Sequence, residues 1–396
     1  MAKEVRVRVA VIGTGVAGSL LTAAARRDQP SLDLKAFDKI VSGAREEAGT
    51  GLNIGPNALK ALRRDGGIGL EALHAVSLPW RRWLIALTNG TRLVDLDIME
   101  VAEEPGLRIR WADLYAVLRA VSASATRYDR ALEAVEEDAH GRLIPVLRDR
   151  GGELHRHGAF DLLVAADGRY SRLRELVAGK PQARFPGIGT WRLLVRLRGD
   201  CPIDDYGQYF CGHARLLSFR LPNDYAYIAG SFPLEGDGPI PDDIRTVQAQ
   251  RRFFLPQDGA PSAETAWILD QFALHPNDVN WARTQEIDTL HQAADGRVLL
   301  IGDAAHAMFQ TLGQGATQAI EDALAAAAVL RTGPATPQAL CSAYEARRSA
   351  RITFAKDFTR DATDTLMPGA DPVAGSLAKA QEPFLSKLRT LYMDVA

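Results

Sequence analysis

Short apolar runs closed by glycine recur along this chain. Val5 to Ile12 reads as a strand and stops at Gly13, and Leu32 to Phe37 is a second strand that ends at Asp38. Asp161 to Ala165 leads into Asp167-Gly168, and Val298 to Ile301 stops at Gly302. Runs of this length with β-branched members predict strands. Helical patterns follow them: an Ala/Leu helix over Ser19 to Arg27, and a helix of small residues over Ala316 to Leu330. Pro56 predicts a helix start with proline in its first turn, running through Arg64. Arg110 to Val121 reads as an amphipathic helix. Strand and helix in alternation predict an α/β fold.

Elsewhere the period changes. Two strand-like runs lie between Trp80 and Ile98 around the turn Asn89-Gly90, and a hairpin is expected over Leu143 to Leu147 and Glu153 to His157. From Pro181 to Trp281 helical periodicity fades. Alternation and aromatics mark strands at Trp191 to Leu197, Tyr206 to Phe210, Arg215 to Leu221 and Tyr225 to Phe232, which together read as an antiparallel sheet. A loop over Pro233 to Asp243 and helices near 242–254 and 263–273 follow. The tail from Pro337 onward reads as mostly helical, and its Tyr344-Glu-Ala-Arg-Arg348 as packing and solvated charge. These shifts divide the chain into a discontinuous unit of 1–75, 100–180 and 282–340, a sheet unit of 76–99 and 181–281, and a helical segment of 341–396.

Composition narrows the function. A chain of 396 residues holds one large core or two domains. A formal net charge of −2 gives no basic field for nucleic acid or an anionic membrane. Apolar runs are far too short for a membrane span, and no signal-peptide core precedes the first strand. The three cysteines are odd in number and lack metal-ligand spacing, so no metal is expected. Cys201 and Cys211 could form a disulfide, although a reduced pair suits the cytoplasmic location expected here.

Gly13-Thr-Gly15-Val-Ala-Gly18 lies between a strand and a helix, with Asp38 at the end of the next strand. Those glycines suit a tight turn, close approach to a pyrophosphate and close helix–strand packing, and the acid suits an adenosine ribose. Taken alone, Asp38 also reads as a turn residue. This Rossmann-type signature predicts a bound dinucleotide. The stretch from Ser42 to Asn57 holds Gly49, Gly51 and Gly55 and reads as an extended loop against a ligand. Arg45 within it suits either a phosphate or solvent, and Arg110 either the cofactor or a solvated first helical turn. Asp167-Gly168, followed by a Ser171-capped helix with two arginines, reads as a nucleotide-style edge or as surface turn chemistry. Gly302 permits close approach of backbone, Asp303 offers a carboxylate to a ribitol hydroxyl, and Gly313 and Gly315 present bare N–H groups at a helix N-terminus.

Taken together, these segments resemble the class A flavoprotein monooxygenases, the aromatic hydroxylases of the p-hydroxybenzoate hydroxylase fold. The resemblance rests on the Gly13–Gly18 fingerprint with Asp38, on Asp167-Gly168 with Ser171 and Arg174, and on Gly302-Asp303-Ala-Ala-His306 with Gly313-Gln-Gly315 and Glu321-Asp322. The stretch from Gly49 to Asn57 looks most like the salicylate and 6-hydroxynicotinate hydroxylase branch. The resemblance implies a Rossmann-type FAD-binding domain interrupted by a mostly antiparallel β-sheet substrate domain. It implies FAD held by Gly13, Gly15, Gly18 and Asp38, by Arg45, Arg110 and Asp167, by Gly302 and Asp303, and at the ring edge by Gly313, Gly315 and Ala316. NAD(P)H would bind transiently, and O₂ would add to give a flavin hydroperoxide that hydroxylates an electron-rich ring. Asn53, Arg192, Arg215, Phe219, Tyr227 and Gln310 would line the substrate site, with Asn53, Arg215 and Gln310 positioning the ring; a solvated strand end stays open for Arg215, and a solvent-facing side chain for Gln310. The chain departs from the family pattern at Gln310, where relatives carry proline, and at Asn53, where 6-hydroxynicotinate hydroxylases carry a histidine. Two other readings stand beside this one: a hydroxylase of larger polyketide-like molecules, and a flavin-free partner-binding protein like the prenyl-protein dissociation inhibitors. A monomer or a homodimer is expected.

Overall fold

The computed structural model describes residues 7–41, 50–332 and 336–395. Residues 42–49, and with them Arg45, lie outside that set. A six-stranded sheet is built around Val9–Ile12, which pairs in parallel with Leu34–Phe37 on one side and Leu162–Ala165 on the other. Val298–Leu300 adds in parallel to Leu162–Ala165, and Gln292–Ala293 closes that edge antiparallel. The runs are apolar without alternation because both faces are covered. Val9, Val11, Leu162 and Val164 pack with the helices Val16–Asp28 and Gln314–Thr332. Ala10, Ile12, Leu163 and Leu300 face Leu143, Leu147 and Phe160, which belong to or flank the hairpin sheet of Ala131–Glu137, Leu143–Arg148 and Leu154–Arg156.

The second large sheet has seven strands, in the order 280–283, 188–196, 225–233, 214–221, 206–211, 82–87 and 92–97. Every pairing is antiparallel except that of Tyr206–Cys211 with Arg82–Leu87. Here strict alternation sorts the side chains. Trp191, Leu193, Leu216, Ile228 and Phe232 face the helices Val247–Phe254 and Ala263–Leu274. Phe210, Phe219, Tyr227 and Ala229 point the other way, into a core shared with Leu312 and with Phe358, Leu366 and Leu388 of the C-terminal helical region. That region comprises the helices Pro337–Ala362, Pro372–Ala378 and Phe384–Met393.

Two readings need correction. The glycine-rich stretch before Pro56 is not a loop over its described length. Gly51–Ile54 is a strand paired antiparallel with Gly106–Arg110, which pairs in turn with Ser77–Trp80. Gly51 is required by protein, since a Cβ there would lie 2.7 Å from Tyr227 Cβ and 2.9 Å from Phe219 Cε2. In the Tyr344–Arg348 stretch Tyr344 packs in the core and Arg347 is exposed as expected, but Arg348 is not solvated charge: it has no exposed surface. The other elements follow the sequence pattern with shifted ends. The helix expected from about Asp242 begins at Val247, where Thr246 caps it, and Gln310 precedes a helix starting at Gln314 rather than Ala316. All three cysteines are unpaired thiols. Among the described residues no helix is long and apolar enough to cross a membrane.

Candidate functional site

The fingerprint loop separates its glycines by task. Gly13 has φ +91°, and a Cβ there would sit 2.5 Å from the Ala166 carbonyl oxygen, so the loop closes against the end of the Leu162–Ala165 strand. At Gly18 a Cβ would lie 1.9 Å from the Gly13 oxygen, so only glycine lets the helix start beneath its own loop. Gly15 is different. Its Cβ would meet only the hydroxyl of Tyr115, at 3.0 Å, and it begins the helix Val16–Asp28 without a side-chain cap. The uncapped N–H groups of that first turn suit an anion. Asp38 is nearly buried and turned toward this loop. Its Oδ2 accepts from the Thr14 N–H at 2.7 Å and the Thr14 hydroxyl at 2.6 Å, and its Oδ1 accepts from the Ile40 N–H at 3.1 Å.

The second half of the site is carried by the strand Val298–Leu300, the short helix Asp303–His306 and the turn before Gln314–Thr332. Gly302 has φ +59°, and its position lies against Ala17 of the fingerprint helix and Ala319, each 3.4 Å from a built Cβ. This glycine therefore brings the first and last motifs together. Asp303 is half-buried and, among the described residues, makes no hydrogen bond or ion pair; its Oδ1 lies 3.7 Å from a Cβ built on Gly315. Gly313, with φ +64°, faces Asn53, whose Cβ is 3.8 Å away from the corresponding built atom. Both polar atoms of the Asn53 amide are buried and have no partner. Ala316 is half-buried on the same turn.

Behind this turn lies a buried ionic network. Arg348 donates from Nε to Asp322 at 2.8 Å, from Nη1 to Glu321 at 2.8 Å and from Nη2 to Gln318 at 2.7 Å. Asp322 also accepts from the Gly302 N–H at 2.8 Å and pairs with His306 Nε2 at 2.6 Å. Arg351 and Asn57 hold Glu321. Burial alone would raise the Asp322 pKa, but the adjacent His306 and Arg348 outweigh it and hold the carboxyl well below the usual range. Asp322 thus fixes the backbone on which Asp303 is mounted.

The third wall is the large sheet. Its registers pair Arg215 with Ser231 and Ser231 with Thr190, and Phe219 with Tyr227 and Tyr227 with Leu194. Arg192, Arg215, Phe219 and Tyr227, drawn from three strands, consequently share one face. The Phe219 and Tyr227 rings pack tilted by 32°, with centroids 4.9 Å apart. Arg192 reaches across to donate to the Gln310 side-chain oxygen, and Gln310 Nε2 donates to Thr284 Oγ1 at 3.4 Å. Gln310 therefore points to the sheet and not to solvent. Arg215 is not a solvated strand end: it is 4% exposed, its Nη2 donates to Ser231 Oγ at 3.5 Å, and its Nε has no partner among the described residues.

The remaining candidates are placed as follows. Arg110 is not solvated; it forms a bidentate pair with Asp113 at 2.7 and 2.8 Å and lies 4.8 Å over the Tyr225 ring. Asp167 accepts from Ser171 Oγ and from the Leu173 N–H, and burial raises its pKa against those bonds. Arg174 is buried and donates to the carbonyls of Ala304, Ala305 and Asp288, linking this edge to the Asp303 helix. The buried roles of Arg348 and Arg351 were missed from sequence. Their signal was the stripe Leu340, Tyr344, Arg348, Ile352, Ala355, in which a cation occupies a core position and so demands a buried acid.

Residues 268–359 match the model of a family described as FAD binding domain. The chain is 30% identical to 3-amino-4-hydroxybenzoate 2-monooxygenase PtmB3 of Streptomyces platensis, over 88% of this chain and 85% of that protein. It is 28% identical to the FAD-dependent urate hydroxylase of Klebsiella pneumoniae, over 86% of each. Among solved structures, Klebsiella pneumoniae HpxO complexed with FAD and uric acid superposes with a TM-score of 0.76 at 22% identity, over 96% of this chain and 92% of that one.

Proposed function

The chain belongs to the class A FAD-dependent aromatic hydroxylases, and from that premise we propose that it hydroxylates a small electron-rich aromatic or heteroaromatic molecule between the Gly313–Ala316 turn and the Arg215 face of the large sheet. The flavin-free reading is thereby set aside. The residues present fit FAD. Gly15 leaves open backbone at an uncapped helix start, Asp303 offers an unbonded carboxylate, and Asn53 offers an unpartnered amide beside the turn. In this reading Gly13, Gly15, Gly18 and Asp38 carry the ADP half of the cofactor, with Arg110 and Asp167 near its middle. Gly302 and Asp303 hold the ribitol, and Gly313, Gly315 and Ala316 the ring edge. Bound FAD, reduced by transient NAD(P)H, supplies an oxygen atom from O₂ to the substrate.

The chain's own residues do the rest. The N-terminus of Gln314–Thr332 stabilises negative charge at the ring edge. Asn53 hydrogen-bonds a ring substituent but, as an amide, does not take its proton. Arg215 pairs with the acidic group of the substrate, and the packed rings of Phe219 and Tyr227 exclude water beside it. Gln310, held by Arg192, orients the carbon that is oxygenated. We infer a cytoplasmic location from the need for NAD(P)H.

The observation that carries this reading is the union of Arg192, Arg215, Phe219 and Tyr227 on one sheet face, tied to the turn by Arg192 and Gln310. The test is a screen of ring compounds for stimulated NAD(P)H oxidation by the purified yellow protein, followed by turnover under ¹⁸O₂. One ¹⁸O atom in the product is expected. A product without it refutes hydroxylation.

A further inference from the structure

The segment from Ile287 to His291 is strapped along the short helix that begins at Asp303. The Ile287 and Leu290 N–H groups donate to the carbonyls of Ala307 and Ala305, each at 3.0 Å, and the His291 carbonyl accepts from the Leu300 N–H at 2.9 Å. The strap ends in a buried imidazole, since His291 is 3% exposed. Its ring packs edge-on against His306, with centroids 6.2 Å apart, and against Tyr344, at 5.8 Å.

Among the described residues neither nitrogen of His291 has a hydrogen-bond partner, and neither does Nδ1 of His306. A neutral imidazole carries one donor and one acceptor; a protonated one carries two donors and a charge. The carboxylates that face this ring are already engaged. Asp322 takes His306, Arg348 and the Gly302 N–H, and Glu345 takes Gln292. A proton on His291 would therefore place a buried cation beside Arg348 and the His306–Asp322 pair with no acceptor for either N–H. A buried unpaired charge is relieved by neutralisation or by exposure to water. Burial, then His306 and Arg348, hold the His291 pKa down at about 4, against the pull of Asp322 and Glu345.

We propose that His291 is a positioning residue that keeps the Asp303 helix in place only while its ring is neutral, so that acid parts the strap from the helix and releases the flavin. This rests on the placement of FAD at Asp303 given above. His291 acts through two connections. The strap holds the carbonyls of Ala305 and Ala307, and the neighbouring His306 pairs with Asp322, which in turn holds the Gly302 N–H. The stabilisation is whole above the ordinary histidine value of 6.5 and is lost as pH falls toward about 4. Asp322 and Glu321 titrate below their ordinary range, so the ionic network is intact when His291 takes its proton.

The test titrates the FAD-loaded protein with acid. Released FAD is read from its fluorescence, and the fold from far-UV circular dichroism. A site that excludes the protonated ring should bind FAD about tenfold more weakly at pH 5.5 than at pH 7.5, because the released state takes up the proton at the ordinary value. The far-UV signal should be unchanged, and FAD should rebind on return to neutrality. His291→Phe keeps a ring in the packing but cannot take a proton, and it should retain FAD at both pH values. His291→Gln, also neutral throughout, makes the same comparison if the phenyl ring disrupts folding. Equal FAD affinity of the unaltered protein at the two pH values overturns the proposal whether or not a variant folds. So does an equal acid loss in His291→Phe or His291→Gln, or a collapse of the far-UV signal together with flavin release. A protein that binds no flavin at pH 7.5 overturns instead the cofactor placement on which the hydroxylase reading also stands.

Discussion

Replacing Arg348 by methionine isolates the network behind the turn. The change keeps the length and apolar stem of the side chain but removes three donors at once, to Asp322, Glu321 and Gln318. Removing one partner of a buried ion pair costs roughly 3–5 kcal/mol, because the other charge stays buried. Here Glu321 keeps Arg351 and Asn57, and Asp322 keeps His306 and the Gly302 N–H. The lower end, about 3 kcal/mol, is therefore expected. Thermal unfolding of the two proteins at a fixed FAD concentration measures the difference. The pH dependence supplies a second reading. Asp322 and Glu321 both have folded pKa values below their ordinary ones. Their stabilisation is present above the unfolded value, about 4, and lost as pH falls through the folded value. The gap between wild type and Arg348→Met should thus be widest near neutrality and narrow below about pH 4. Adding Asp322→Asn to the variant should recover part of the loss by removing the stranded charge. A midpoint equal to that of wild type, or a gap that widens on acidification, refutes the argument.

Gly15→Val and Gly18→Ala should fail in different ways. The first should fold but lose most of its flavin, because its side chain meets little protein; the second should fold poorly, with a Cβ 1.9 Å from a carbonyl oxygen. A yellow Gly15→Val protein refutes the cofactor placement. Arg215→Ala should weaken binding of a ring substrate without altering the flavin spectrum, and unchanged affinity refutes its role. Gln310→Ala frees Arg192 and should raise H₂O₂ released per NAD(P)H consumed, with flavin reduction unslowed; a constant peroxide yield makes Gln310 a structural residue.

Much of the cofactor half was legible because its physics is local. The runs Val9–Ile12, Leu162–Ala165 and Val298–Leu300 each carry their burial in their own composition, and each is punctuated by a glycine close behind it. The gathering of Arg215, Phe219 and Tyr227 was implied by the family resemblance, and the register between their strands puts them on one face. Long-range pairing was less legible. Gly51–Ile54 looks like a loop because its order comes from Gly106–Arg110, distant in sequence, and its glycine answers to Tyr227 across the interface. Asp38 reads as an acid free for a ligand, yet Thr14 already occupies one of its oxygens twice.

The strand Leu162–Ala165 has Val9–Ile12 on one side and Val298–Leu300 on the other, and the entire middle sheet intervenes between the second pair in sequence. During synthesis at roughly 5–20 residues per second, that second edge stays open for about 7–26 s before its partner is made. An unpaired apolar edge is an invitation to the wrong strand. The hazard is set by chain order, independent of how stable the finished protein is. Nascent chains stalled after residue 165 and before residue 298 would display that edge, and the helix that follows Asp303 would not yet exist to receive a cofactor. A cofactor site that needs Gly302 and Asp303 can be completed only after about three-quarters of the 396 residues have emerged.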